Sequence, residues 1–296
     1  MQEYEIIIPV RNGGQALVNS IESSRASLAS GRVFLTISDN FSTDGSPWMK
    51  TLQSLPPAQW RLIKPLAPLG RVEHWSWAFA QGQCAWLKPL MTGDRIDDAF
   101  WKWADNAKPQ FPTAGMLFCG LDVFDPGRAH PDNVKASSEL DVTRLYDVQE
   151  FSRDAARCQN PPGALTQVLI RSDVLKKALP FDTNFAWTAD WRFYYRCLQQ
   201  LPAAATQARF VCQDRSIVRF STSWKGVSGS VKEEWQFASM QARVASIPSW
   251  KAFVSRCKAS GFKVTMLMGR KILPRWLRGF LTSITRVHKS NVSHTL

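Results

Sequence analysis

The sequence predicts an α/β fold, in which helices flank a mostly parallel mixed sheet and a basic helical extension follows at the C-terminus. Two observations lead to this prediction. Short apolar runs alternate with segments of helical periodicity over the first part of the chain, as expected when strands and crossover helices succeed one another. Excess positive charge is concentrated near the end of the chain, where the periodicity becomes helical throughout.

The first strand and helix are the clearest elements. EIIIPV (5–10) is a short β-rich run, RNGG (11–14) follows it as a loop, and residues 16–30 carry apolar side chains at roughly helical spacing until Gly31. The alternation continues, with strands predicted at 33–40, 60–64, 84–91 and 115–124 and helices at 46–54, 71–82 and 96–106. Beyond these, an irregular excursion is predicted at 126–160 and helices at 164–178, at 188–200 and from 231 onward.

Composition narrows the class of protein. A chain of 296 residues with 45% hydrophobic side chains is long enough for one large domain or two small ones with a substantial core. The N-terminus MQEYEIIIPV lacks the pattern of a signal peptide, and no apolar run of 18 residues predicts a spanning helix. Its six cysteines form no C-x-x-C pair, which favours free thiols in a reducing cytosol over disulfides or a zinc site.

The net charge of +13 is distributed unevenly. Glu234 is the last acidic residue, so residues 1–234 carry 26 basic and 24 acidic side chains, whereas the remainder carries 11 basic and no acidic ones. Between about 274 and 288, apolar residues recur at steps of three and four, which predicts a helix with an apolar stripe and a basic opposite face. This pattern favours binding at a membrane interface. Packing on the rest of the chain and contact with nucleic acid are the alternatives.

Two carboxylates follow predicted strands. Asp39 ends VFLTISDN, and Asp94 follows WLKPLMTG. Because ligands bind at the carboxyl ends of strands in open α/β sheets, both side chains are expected to face one cleft. Local explanations exist as well: Asp39 as a turn residue bonded to its own backbone, and Asp94 as a helix N-cap. Asp97 and Asp98 are expected in the first turn of the next helix, where its dipole favours them, and the alternative is that they help Asp94 to hold a charged ligand.

Four segments resemble, in order, the motifs of family 2 glycosyltransferases: EIIIPVRNGG, ISDNFSTDGS, WLKPLMTGDRI and LPFDTNFAWTADWRFYYRCL. Together they cover roughly residues 4 to 200. The resemblance implies a GT-A fold and an inverting transfer of a sugar from a nucleotide-sugar donor to a hydroxyl. The division expected from it is a catalytic domain at 1–230, with a nucleotide-sugar-binding half at 1–94 and an acceptor half at 95–230, before the basic extension at 231–296.

The resemblance also implies roles for residues near the first strands. Asp39 would accept a hydrogen bond from the nucleotide base, uracil being the common case in the family. Pro9 and Asn12 would shape the same pocket, and Arg11 would reach phosphate. Arg71, which precedes a predicted helix, would face the donor, although an ordinary surface arginine fits that position equally well.

By the same resemblance, Asp94 would hold a divalent cation, Mn²⁺ or Mg²⁺, that neutralises the leaving diphosphate. The sequence departs from the family here, since Thr92 stands where the Asp-x-Asp motif has its first aspartate. The cation is therefore expected to bind more weakly or to depend on water and phosphate oxygens. Asp190, in TADWRF, would act as general base toward the acceptor hydroxyl. Its alternative role is to begin a helix.

The expected partners are a UDP-linked donor, a glycan or lipid-linked acceptor and an anionic membrane surface, with no nucleic acid. The expected place is the cytoplasm, at the inner face of the cytoplasmic membrane, in bacterial surface polysaccharide synthesis. Three rivals remain open: a sugar nucleotidyltransferase, for which RNGG is a poor phosphate loop; a catalytically degenerate transferase; and a basic nucleic-acid-binding protein. A dinucleotide dehydrogenase is disfavoured, because no G-x-G-x-x-G follows the first strand.

Overall fold

The computed structural model describes residues 2–124, 143–214 and 224–248, together with residues 251, 254, 255 and 257. Among them are nine strands: β1 (Tyr4–Val10), β2 (Val33–Asp39), β3 (Trp60–Ile63), β4 (Trp86–Pro89), β5 (Arg95–Ile96), β6 (Met116–Phe124), β7 (Arg144–Tyr146), β8 (Val168–Arg171) and β9 (Ala203–Asp214). Eight α-helices lie in the same described residues: α1 (Gly14–Ala29), α2 (Met49–Gln53), α3 (Arg71–Ala80), α4 (Ala99–Gln110), α5 (Val148–Ala156), α6 (Ser172–Ala178), α7 (Ala189–Leu198) and α8 (Trp224–Val244).

All nine strands join one mixed sheet, in the order β3-β2-β1-β4-β8-β6-β9-β5, with β7 on β9. The first four strands in this order are parallel, β8 runs antiparallel to both its neighbours, and β6 and β9 are parallel. Val10 and Asp39 are register partners at the ends of β1 and β2. The loops that follow these two strands therefore leave the sheet at one edge.

The core forms around β1. Every residue of this strand is buried, as expected for a central parallel strand covered on both faces. Helix α1 buries Leu17, Ile21 and Leu28 in the same cluster, which α4 joins through Phe100. Burying an aliphatic or aromatic side chain of this size stabilises a fold by about 1.5–3 kcal/mol. The cluster thus fixes the strand whose end carries the first loop of the site.

The chain divides into two compact units. One comprises the described residues of Met1–Val148 and Pro162–Ile217, and it contains the whole sheet; the other comprises those of Gln149–Pro161 and Val218–Leu296. In the second unit, Phe151 of α5 lies edge-on to Phe237 of α8, with ring centroids 6.3 Å apart. Across the described residues, no helix combines the length and hydropathy needed to span a membrane.

The predicted α/β class with a mostly parallel mixed sheet is confirmed, and so are all five strands predicted before residue 125. The helix predicted at 164–178 is wrong in its first half. Val168–Arg171 forms strand β8, and the helix begins only at Ser172. A short, fully buried strand has no polar face, so its periodicity does not separate it from a buried helix.

Two further differences lie downstream. The excursion predicted at 126–160 contains strand β7 and helix α5 in its described part. Strand β9 was not anticipated, because its start, AAATQA, is rich in alanine, which is depleted in strands. The helix predicted near 274–288 and most of the 231–296 extension lie outside the described residues.

Candidate active site

The loops after β1 and β2 are hydrogen-bonded to each other. The backbone N–H of Asn12 donates to Ser42 Oγ at 2.9 Å, and Asn12 Oδ1 accepts from the N–H of Thr43 at 2.6 Å. The N–H of Gly14 donates to Asp44 Oδ2 at 2.8 Å. Asn12 adopts φ +56°, a left-handed conformation that asparagine tolerates better than most residues. Its side chain is thus used to join the two loops and shape the edge between them.

Asp39 lies beside these loops, at the end of β2. It is 9% exposed, and its Oδ1 accepts from the N–H of Ser42 at 3.0 Å. The nearest cation to its other oxygen is Lys64, whose Nζ lies 3.9 Å from Asp39 Oδ2 and 4.1 Å from the centre of the Phe41 ring. The local explanation is therefore correct, since Asp39 does bond its own turn. Its place at the carboxyl end of β2, where ligands bind in open α/β sheets, is also compatible with the predicted contact with a nucleotide base.

Pro9 and Arg11 flank the end of β1. Pro9 is buried within the strand, and its carbonyl accepts from Thr92 Oγ1 at 3.2 Å. Arg11 is exposed directly after the strand. Pro9 therefore shapes the edge through its backbone, whereas the side chain of Arg11 is available to an anion in solution.

Behind Asp39 lies a buried histidine. His74 of α3 is 4% exposed, and its Nε2 lies 2.8 Å from Ser38 Oγ. Burial lowers the pKa of His74 to about 4, although the charge of Asp39 acts in the opposite direction. A neutral imidazole therefore supports the residue that precedes Asp39.

The turn from Met91 to Asp94 is held from several sides. Gly93 adopts φ +95° and donates its N–H to Ser20 Oγ at 2.8 Å. The hydroxyl of Thr166 accepts from the N–H of Met91 at 3.2 Å and donates to Asp94 Oδ2. Asp94 is only 1% exposed. The turn therefore presents its carboxylate in one fixed arrangement.

The local alternative for Asp94 is not supported, because the N-cap of α4 is Asp98. Asp97 Oδ1 accepts from the N–H of Ala99 at 2.7 Å, and Asp98 Oδ1 accepts from the hydroxyl of Ser27. Asp97 therefore bonds the first N–H of α4, whereas Asp98 is its N-cap without a side-chain bond to the helix. Both residues precede the first turn, which contains no acidic residue, so the prediction that they lie in that turn is wrong. They leave Asp94 as the acidic residue of the turn from Met91 to Asp94.

The residues offered to a divalent cation are few. No group of three His, Cys, Asp or Glu side chains gathers in the part of the chain that the structure describes. Thr92 does not take the place of the missing aspartate, since its hydroxyl is directed to the carbonyl of Pro9. Magnesium is often held by one or two carboxylates together with substrate phosphates. Asp94 fits that arrangement as the single protein carboxylate, with the remaining ligands coming from a diphosphate and water.

Asp190 opens helix α7 beside a small cleft. The cleft has a volume of about 170 Å³ and is lined by Arg71, Trp75, Met91, Ala164, Leu165, Ala186, Trp187, Ala189 and Asp190. Its walls are mostly apolar, and Asp190 contributes the one carboxylate in this lining. Met91 belongs both to this lining and to the turn that carries Asp94. The predicted base therefore lines a cleft that the turn carrying the predicted metal ligand reaches through Met91.

Arg71 forms part of the Asp190 cleft. Its Nη2 donates to the carbonyl of Ala186, and its guanidinium carbon lies 5.2 Å from the Trp75 ring centre and 5.5 Å from that of Trp187. These contacts join the start of α3 to the segment that leads into α7. Contact of Arg71 with a donor remains a prediction.

Sequence reasoning missed several residues at this edge of the sheet. Thr166 and Trp75 lie in none of the four motif-like segments, and Trp187 lies in LPFDTNFAWTADWRFYYRCL but was not singled out there. Lys88 had a visible signal, since it is a charged residue inside the apolar run WLKPLM. The structure buries it completely, with its Nζ near the same Thr166.

No protein-family model and no curated protein matches the chain. Solved structures do match it. S. aureus TarS 1–349 in complex with UDP superposes with a TM-score of 0.60 at 12% identity, covering 90% of this chain and 77% of that one. The complex of the same protein with UDP-GlcNAc gives 0.58 at 10% identity, covering 89% and 82%. The chain has the GT-A fold.

A second neighbour is more distant. GalNAc-T7 with UDP, GalNAc and Mn²⁺ gives a TM-score of 0.52 at 12% identity, covering 79% of this chain and 47% of that one. At such identities the similarity establishes the fold alone. What the chain does must be argued from its own residues.

Proposed function

We propose that the chain is an inverting glycosyltransferase, which moves a sugar from a UDP-linked donor to a hydroxyl of a glycan or lipid-linked acceptor. One observation carries the proposal: the Asp94 turn and the Asp190 cleft adjoin at Met91 and at the segment containing Leu165 and Thr166. A buried acidic turn beside an open cleft with a carboxylate provides one place for a leaving diphosphate and another for an attacking hydroxyl.

The donor side of the proposal rests on the edge formed by β1 and β2. Asp39 is positioned to accept from a base N–H, and Arg11 and Lys64 supply cations near it. The loops that frame this edge are joined through Asn12, which suits a preformed nucleotide pocket. UDP is the favoured nucleotide, because the TarS neighbours were solved with UDP and UDP-GlcNAc.

The cation is part of the proposal. Asp94 would hold a divalent ion, Mn²⁺ being supported by the GalNAc-T7 neighbour. When bound, that ion neutralises the charge that develops on the departing diphosphate. Thr166, by bonding Asp94 Oδ2, restrains the carboxylate that would hold the ion.

The acceptor side rests on the Asp190 cleft. Trp75 and Trp187 give the cleft aromatic walls suited to the apolar face of a sugar ring. A carboxylate within hydrogen-bond reach of the acceptor hydroxyl takes its proton as the oxygen attacks the anomeric carbon. Direct attack by that hydroxyl, on the face opposite the diphosphate, inverts the configuration of the sugar.

A donor screen tests this function. The purified full-length chain is incubated with a panel of nucleotide sugars and candidate acceptors, with Mn²⁺, with Mg²⁺ or with a chelator, and the released nucleotide is measured. The expected result is acceptor-stimulated release of UDP that the chelator suppresses. Release of pyrophosphate would instead support a nucleotidyltransferase. UDP binding with no release from any donor would support a degenerate transferase.

We also propose that the chain works at the inner face of the cytoplasmic membrane, in bacterial surface polysaccharide synthesis. The support is the charge distribution, since every one of the 11 ionised side chains after Glu234 is basic. An anionic leaflet attracts such a segment, and lipid-linked acceptors reside in that leaflet.

A further inference from the structure

Lys88 is the feature of the sheet that the proposed function does not use. It lies in β4, is 0% exposed, and has the fully buried Leu87 and Leu90 beside it in the chain. A buried ammonium group is costly unless hydrogen bonds compensate its lost hydration. An apolar side chain at this position would pack in the strand without that cost, so the presence of a lysine needs an explanation.

The ammonium group lies where the ladder between β4 and β8 stops. That ladder pairs only Trp86 with Arg171 and Leu87 with Ile170. One residue further along β4, Lys88 Nζ donates to the carbonyl of Thr166 and, at 3.2 Å, to that of Val168. The face of Phe100 covers it, with its ring centre 4.4 Å from Nζ. The side chain thus replaces strand pairing with charge-assisted bonds to the turn before β8 and to the first residue of β8.

Thr166 connects this lysine to the acidic turn. Its backbone carbonyl accepts from Lys88, while its hydroxyl accepts from the N–H of Met91 and donates to Asp94 Oδ2. All three side chains are buried: Lys88, Thr166 and Asp94 are 0%, 0% and 1% exposed. A single residue therefore separates the ammonium group from the carboxylate.

We infer that Lys88 is a positioning residue, which holds Thr166 so that its hydroxyl fixes Asp94 toward the donor diphosphate and its cation. The inference rests on the proposed function, because Lys88 can have this positioning role only if Asp94 acts on a nucleotide donor. Burial lowers the pKa of Lys88 to about 8, so the group is predominantly charged at neutral pH.

A purely structural tie between β4 and the turn before β8 is the competing explanation. The two differ in what a substitution changes. A structural tie affects the free energy of unfolding alone, whereas a positioning residue also affects the part of nucleotide affinity that depends on the cation. The two explanations also predict different energetic coupling between Lys88 and Thr166. If Lys88 acts through Thr166, substituting Lys88 should no longer change nucleotide affinity once the Thr166 hydroxyl is absent.

The experiment is a double-mutant cycle on UDP binding, measured by calorimetry on the full-length chain with and without Mn²⁺. The variants are Lys88→Met, Thr166→Val and the double substitution. Arg61→Met is the control: it removes a second cation of the sheet, which is partly buried and bonds Glu5, Thr36 and the carbonyl of Gln81. Lys88→Gln, which keeps a donor at this position, replaces Lys88→Met in the cycle if the latter does not fold.

We expect each single substitution at Lys88 or Thr166 to reduce the Mn²⁺-dependent gain in UDP affinity about tenfold, which corresponds to about 1.4 kcal/mol. The double variant should lose little more than either single one, and Arg61→Met should keep the gain within about twofold of the wild-type value while lowering the melting temperature. The Mn²⁺ electron paramagnetic resonance signal of the UDP complex should weaken in parallel.

Strictly additive losses at Lys88 and Thr166, or a loss at Lys88 no larger than that of Arg61→Met, would overturn the assignment of Lys88 and leave the proposed function standing. Failure of the wild-type chain itself to bind UDP would overturn both.

Discussion

Under the proposed function, Asp190 is the side chain on which the transfer step would depend most directly. Replacing it with asparagine keeps the shape of the cleft but removes the proton acceptor, so turnover on acceptor should fall about 10²- to 10⁴-fold. UDP affinity should change little, because this carboxylate acts on the acceptor. Asp173→Asn is a suitable control, since Asp173 pairs with Arg171 on an exposed part of the surface. Saturating turnover that survives in Asp190→Asn while UDP affinity collapses would assign the residue to the donor instead.

His74 gives a prediction about pH and stability. In the folded chain its pKa is lowered from 6.5 to about 4, so in this window the unfolded state binds more protons. Stability should therefore fall as the pH is lowered from 6.5 toward 4, with this histidine contributing at most about 1.4 kcal/mol per pH unit. Above pH 6.5 the ring is neutral in both states and has no such effect.

The test is urea unfolding of the wild-type chain and of His74→Gln at pH 7, 6 and 5. Glutamine keeps an acceptor for Ser38 but does not titrate. The urea midpoint of His74→Gln should therefore fall less on acidification than that of the wild-type chain. Carboxylates such as Glu3 and Asp105, whose pKa values are lowered in the folded chain, affect both proteins alike. If the urea midpoints of the two proteins change by the same amount between pH 7 and pH 5, His74 does not titrate as the structure implies.

How far single residues were predictable depends on the distance along the chain between partners. Asp39 and Asp94 were found because the strand ends that carry them are local signals. Thr166 was not, because its partner Asp94 lies 72 residues away and nothing near Thr166 marks it. The contact of His74 with Ser38 likewise spans 36 residues. Side-chain contacts between residues so far apart in the sequence arise only from the order of the strands in the sheet.

Among the elements, the turn from Met91 to Asp94 is the most constrained. Gly93 holds φ +95°, where a side chain is strained, so Gly93→Ala should cost about 1–3 kcal/mol. The control is Gly31→Ala, in the loop after α1, where φ is +73° and an added Cβ meets open space. Urea unfolding should show comparable losses, whereas only Gly93→Ala should also lose UDP release. If Gly93→Ala and Gly31→Ala release UDP at the same rate, the conformation of the turn is not required for activity.

The elements also show why the early sheet was easier to predict than the later one. Strands β1 to β4 are parallel and separated by helices, so each is a short apolar run between different patterns. Strand β8 inserts between β4 and β6 in the opposite direction and is buried, which removes the alternation that identifies a strand. Strand β9 begins in alanines whose pairing with β6 overrides their low strand propensity.

At the scale of the whole molecule, charge is the feature to test. The basic residues after Glu234 predict that the full-length chain sediments with anionic vesicles, because each Lys or Arg near such a surface adds about 1 kcal/mol. A chain ending near residue 262, without the helix predicted at about 274–288, should sediment much less. Vesicles of neutral lipid provide the control for both. Equal sedimentation of the two chains would exclude this helix as the anchor.

The bonds between the loops after β1 and β2 have a consequence for the thermodynamics of recognition. Because Asn12 and Asp44 already tie these loops together, a nucleotide arriving at this edge meets a surface that is ordered before contact. Little chain entropy is then lost there on association. The heat-capacity change of nucleotide binding should accordingly reflect water released from the contacting surfaces, with only a small contribution from coupled folding at this edge.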